Sequence, residues 1–133
     1  MKINNYLNFA GTCETAFKFY QSVLGGEITA MYPFGGTPMA EHSPADWQDK
    51  IMHARLDIGD QAIMGSDAPP DRYGKPQGFS VSLNITDPAE AERLYAALAT
   101  NGIQMMPIQQ TFWAKRFGML EDQFGIPWMV NCE

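Results

Sequence analysis

What most constrains this chain is that one order of elements occurs twice, on either side of a segment that can be neither helix nor strand. Residues 67–78 read Asp-Ala-Pro-Pro-Asp-Arg-Tyr-Gly-Lys-Pro-Gln-Gly, where Pro69, Pro70 and Pro76 remove backbone donors and Gly74 and Gly78 loosen the chain. Before it, Ile3 to Phe9 reads as a strand, and Thr12 to Leu24 carries Ala16, Phe19, Tyr20 and Val23 at helical spacing, stopped by Gly25-Gly26. Glu27 to Phe34 is rich in strand formers. Ile51 to Ile58 alternates apolar and polar residues, and Gly59-Asp60 turns it into Gln61 to Ser66. After the linker, Phe79 to Ile85 alternates Val81, Leu83 and Ile85 against Ser80, Ser82 and Asn84. Asp87-Pro88-Ala89-Glu90 then has the form of a capping box opening a helix with Ala91, Leu94, Tyr95 and Leu98 on one face. That helix ends at Asn101-Gly102, and β-like runs follow at 103–112, 115–121 and 126–131. Both halves therefore read β-α-β-β-β.

The halves also align residue by residue. Ala16, Lys18, Phe19, Tyr20 and Val23 fall on Ala91, Arg93, Leu94, Tyr95 and Leu98, and Leu7-Asn8-Phe9 falls on Leu83-Asn84-Ile85 with one extra residue in the first strand-to-helix turn. Helical stripes match easily by chance, so the repetition of the whole element order is what makes an internal duplication the better reading. The fold class expected is α+β, with two modules of about residues 1–67 and 78–133, a linker at 68–77, and mixed sheets carrying one helix each. A single helix covers one face of its sheet, leaving the opposite face to be buried elsewhere or to form a cleft.

Composition narrows the function classes. With 133 residues, 45% of them hydrophobic, the chain can bury a core without disulfides or a structural metal. Cys13 and Cys132 stand far apart with no CxxC, so reduced thiols are expected. Cys13 is read as a half-buried, inert thiol, although the first turn of a helix lowers a thiol pKa. The net charge of −6 repels a phosphate backbone, which argues against nucleic-acid binding. No apolar run is long enough for a membrane span and the start lacks a signal-peptide core, so a soluble cytoplasmic protein without a membrane partner is expected. No GxGxxG loop follows a strand, and no cofactor is expected.

Three stretches carry a family resemblance. They are Tyr6-Leu7-Asn8-Phe9-Ala10-Gly11 leading to Ala16 and Phe19-Tyr20, then Ile63-Met64-Gly65-Ser66-Asp67-Ala68, and finally Gln110-Thr111-Phe112-Trp113-Ala114 with Phe117-Gly118 and the run from Asp122 to Asn131. With the duplicated βαβββ order, the chain resembles the PhnB-like family of the vicinal oxygen chelate superfamily, which includes glyoxalase I, extradiol dioxygenases, fosfomycin resistance enzymes and bleomycin resistance proteins. The resemblance implies that metal-binding members use a His or Gln on the first strand of each module and a Glu on the last. Those positions fall here at Asn4 or Asn5, Met64 or Gly65, Ser80 or Phe79, and Met129, and in neither register is there a His or a carboxylate. Neutral amide and hydroxyl oxygens with thioethers hold divalent cations poorly, so no metal is expected.

The leading expectation is a metal-independent protein of the bleomycin-resistance type that binds or sequesters a small molecule in an apolar cleft, working as a homodimer. The ligand-binding candidates are Ser80, Ser82, Trp113, Arg116, Met129 and Asn131. Trp113 and Arg116 could stack on and pair with an anionic ligand, and the methionines would give a deformable wall. The alternative is a superfamily enzyme, of lyase, isomerase or dioxygenase-like type, acting on a vicinal-oxygen or phosphonate-related metabolite. Its catalytic candidate is His53, which lies in a strand beside Arg55 and Asp57.

Overall fold

The computed structural model describes all of residues 1–133, which form two compact units, Met1–Gly74 and Lys75–Glu133. In the first unit the order is β1 (Asn5–Phe9), α1 (Cys13–Leu24), β2 (Glu27–Pro33), β3 (Ile51–Ile58) and β4 (Gln61–Asp67), with two short 3-10 turns at Ala40–His42 and Ala45–Trp47 between β2 and β3. The sheet runs β1-β4-β3-β2, with β1 parallel to β4 and the other pairs antiparallel. One face packs on α1. Leu7, Phe9, Ala54, Leu56 and Ile63 from the sheet are buried, as are Ala16, Phe17, Tyr20 and Val23 from the helix. A fully buried ring such as Phe17 contributes roughly 1.5–3 kcal/mol.

Close approach of α1 to β4 requires Gly65, because a Cβ there would stand 2.6 Å from the Leu7 carbonyl oxygen and 3.0 Å from the Phe17 ring. Thr12 makes no side-chain cap. Its place is taken by buried Asp67 at the end of β4, whose carboxylate accepts from the amides of Gly11 (3.0 Å), Cys13 (2.9 Å) and Ile51 (2.8 Å). A carboxylate reaches further than a local hydroxyl and satisfies the start of the helix and the start of β3 together.

The second unit repeats the plan as β5 (Val81–Asn84), α2 (Pro88–Leu98), β6 (Ile103–Gln109), β7 (Arg116–Glu121) and β8 (Pro127–Cys132), in sheet order β5-β8-β7-β6. Ala91, Leu94, Tyr95 and Leu98 of α2 pack over Val81, Leu120, Trp128 and Val130. Gly118 allows a similar close approach of α2 to β7, since a Cβ there would lie 2.6 Å from the Tyr95 ring. The Tyr95 hydroxyl donates within reach of the carbonyls of Met106 (2.9 Å) and Met119 (3.2 Å), and burial raises its pKa. Buried Asp122 accepts from the amides of Phe124 and Ile126 and from Trp128 Nε1 (2.8 Å).

Asp87 caps α2 by accepting from the Ala89 amide at 3.2 Å, but Glu90 does not reach back to complete a capping box. It pairs instead with Arg93, one turn on, where the guanidinium meets both of its oxygens. Strand ends are the other difference from sequence. β6 stops at Gln109, and β5 begins only at Val81, because Phe79 and Ser80 belong to an unpaired approach from the linker.

Candidate functional site

In each sheet the side chains alternate, so the residues between the core positions form an open face. In the first unit that face carries Tyr6, Tyr32, His53, Arg55, Asp57 and Met64. His53 stacks on Tyr6, with ring centroids 5.8 Å apart and planes 21° apart, and its Nδ1 lies 3.2 Å from the Tyr6 hydroxyl. Tyr32 stands on its other side at 6.4 Å. Arg55 Nε donates to Asp57 Oδ1 at 2.9 Å, and Thr29 Oγ1 donates to Asp57 Oδ2 at 2.6 Å. The Thr29 hydroxyl first, then the Arg55 guanidinium, hold the Asp57 carboxyl below the ordinary carboxylate range. Arg55 Nη1 also approaches Met64 Sδ at 4.0 Å.

In the second unit the open face is apolar and concave. A cavity of about 640 Å³ lies against β7 and β8, walled by the thioethers of Met105, Met119 and Met129 together with Phe79, Ser80 and Pro127. The linker residues Lys75 to Gly78 form one rim. Lys75 Nζ meets Glu121 Oε1 at 3.0 Å, pinning that rim to β7.

The strand alternation resolves the register left open in the sequence. Met64 shares the open side with Tyr6 and Ser66, whereas Gly65 faces α1; in the second unit Met129 pairs with Met119 on the open side. The positions that resemblance assigns to metal ligands are thus Asn4 and Met64 in one unit and Ser80 and Met129 in the other. This donor set does not fit a divalent ion. Beyond the poor donors, a guanidinium reaches Met64, and Asp57 is engaged by Arg55 and Thr29. Within neither unit do three His, Cys, Asp or Glu side chains converge to hold an ion.

Of the ligand-binding candidates, Ser80 and Met129 line the cavity. Ser82 pairs in register with Met129 on the same face but lies outside the lining. Asn131 bonds through Nδ2 to Asn84 Oδ1 and Glu133 Oε1, each at 3.3 Å. Trp113 is half exposed and packs edge-on against Phe117 at 5.2 Å, with fully exposed Phe112 against its other side. Arg116 is turned away, toward α2, where Nε donates to Glu92 at 2.9 Å. The structure therefore separates Arg116 from Trp113 rather than joining them in one anion clamp. Cys13 is fully buried, and burial, with Asp67 and Glu14 adding repulsion, pushes its thiol pKa up, against the helix-start effect.

Sequence reasoning missed Lys75, Met119 and Glu121 as cavity residues. The signal was present, because Met119 and Glu121 alternate with core residue Leu120. Which side of β7 faced the helix depended on knowing that Gly118 lies under Tyr95.

A chain of two βαβββ modules, each with one covered and one open sheet face, has the architecture of the glyoxalase type. The model of the Glyoxalase/Bleomycin resistance protein/Dioxygenase superfamily matches residues 2–130, and the chain belongs to that superfamily. It is 39% identical to protein YjdN of Escherichia coli K12 over 98% of this chain and 95% of that one. Among solved structures it resembles protein PA1353 of Pseudomonas aeruginosa, at 52% identity, TM-score 0.92, and 100% and 98% coverage of the two chains. It shares its fold with the PhnB protein of Bacillus cereus, at 23% identity, TM-score 0.84, and full coverage of both chains. No helix is long and apolar enough to cross a membrane.

Proposed function

We propose that this protein binds or sequesters a small molecule in the cavity of its second unit without a divalent metal. The observation that carries this reading is the pairing of concavity with lining chemistry. A space of about 640 Å³ falls within the range typical of small-molecule sites, and it is walled by three methionines, one of which, Met129, stands where metal-dependent relatives are expected to place a donor. Thioethers and one phenyl ring favour an apolar or aromatic ligand. Thermal unfolding tests this directly, since a ligand that binds only the folded state raises the melting temperature. The expected result is stabilisation by an aromatic compound that survives EDTA, and a requirement for added Mg, Mn, Ni or Zn would overturn it.

The protein is proposed to act as a cytoplasmic homodimer. Phe112, Met105 and Ile103 are largely exposed, and symmetric pairing is the commonest way to cover such a surface. A single sedimenting species near 14.8 kDa at micromolar concentration would overturn the dimer. The enzymatic alternative draws on His53, hydrogen bonded to Tyr6 and flanked by Arg55, as an acid or base on the first unit's open face. It predicts turnover of a vicinal-oxygen or phosphonate-related compound that is lost in His53→Ala.

A further inference from the structure

Resting on the cavity reading above, we infer that the ligand is a flat organic cation and that Lys75 stands in for its positive charge when the cavity is empty. The lining of the cavity holds one carboxylate, Glu121, and one cation, Lys75. Their burial is unequal. The Glu121 side chain is 19% exposed, while that of Lys75 is 61% exposed. A carboxylate withdrawn that far from water needs a positive partner, whereas a lysine so exposed loses little when it lets go, because its ammonium returns to solvent. Lys75 sits on the linker between Gly74 and Gly78, outside the strands, so its side chain can leave Glu121 without disturbing the sheet.

The remaining wall selects the body of the ligand. Met105, Met119 and Met129 offer polarisable sulfur to an aromatic ring, and Phe79 offers a ring face that attracts a cation. An anion would have to displace Glu121 from the only cation in the lining and would leave that carboxylate unpaired. The geometry thus orders the charge types as cation, then neutral, then anion.

The test uses the full chain with carbon-13 labelled methionine methyls, titrated with the 1-methylquinolinium cation, with neutral quinoline and with the 2-naphthoate anion. The inference expects 1-methylquinolinium to shift the Met105, Met119 and Met129 signals and to bind more tightly than quinoline. It expects Glu121→Gln to weaken the cation by about tenfold while sparing quinoline, and Lys75→Ala to tighten it by about two- to fivefold, the strength of an exposed ion pair. Should Glu121→Gln fail to fold, Lys75→Ala still decides. If none of the probes moves the methionine signals, the cavity reading falls and this inference with it. If quinoline or 2-naphthoate binds as tightly as the cation, or Lys75→Ala weakens the cation, the cavity reading stands and the charge assignment is overturned.

Discussion

The two open faces were built on one plan and have diverged in chemistry. On the first, Arg55, Asp57 and Thr29 are tied in a polar chain, and His53 sits between two tyrosines. On the second, the equivalent surface is a methionine-walled hollow with a single ion pair at its rim. The faces turned toward the helices use like devices at different places in the plan: a glycine under a helix aromatic in each unit, Gly65 on β4 with Phe17 and Gly118 on β7 with Tyr95, and a buried aspartate collecting donors in each, Asp67 at the end of β4 and Asp122 just past β7. Both covered faces meet the same packing needs, each with its own residues, while the opposite surfaces differ in chemistry.

If that division is right, the costliest changes lie on the covered faces and are similar in both units. Asp67→Ala and Asp122→Ala each strand three buried or half-buried donors, so each is expected to lower unfolding free energy by roughly 3 kcal/mol or more in urea titrations. A loss below about 1 kcal/mol in either unit would break the equivalence. Next in size, Gly65→Ala and Gly118→Ala force the helix ring or the adjacent backbone to move and should cost roughly 1–3 kcal/mol each.

Open-face changes should leave stability nearly untouched and act on binding alone. Met119→Ala is expected to weaken binding of 1-methylquinolinium by about three- to tenfold, as suits the loss of one sulfur contact, while Tyr32→Ala in the other unit changes it less than twofold. A larger effect from Tyr32 would place binding on the wrong face. The smallest effect concerns Asp57. Because its folded pKa is depressed, its contribution is present above the unfolded value of about 3.9 and is lost as pH falls through the folded value. Thr29→Val should move the Asp57 carboxyl resonance back toward ordinary titration, and an unchanged curve would mean that the hydroxyl does not hold it.

The fold was legible because alternation and helical stripes recur in order, and two repetitions of five elements constrain each other more than either would alone. The polar caps were less so. Threonine is a common helix cap and Thr12 precedes α1, but the amides at the start of α1 go to Asp67, more than fifty residues away in sequence, and local patterns carry no trace of such a reach. The site was legible in half. Met129 could be placed by position on its strand and Ser80 by continuing the alternation back from β5, whereas Arg116 lies one residue from the open-face position Phe117 and turns to Glu92 instead. A one-residue step on a strand exchanges the two faces, so near a bulge or a strand end sequence parity alone decides poorly.

The carboxylate of Asp67 also has a consequence in time. Its Oδ1 holds the amides of Gly11 and Cys13 before and within the first turn of α1 and its Oδ2 that of Ile51 at the start of β3, so movement of this one carboxylate frees all three protons at once. Exchange with deuterium through that movement should give the three amides one common protection, tying the start of the helix and the start of the strand to a single opening event.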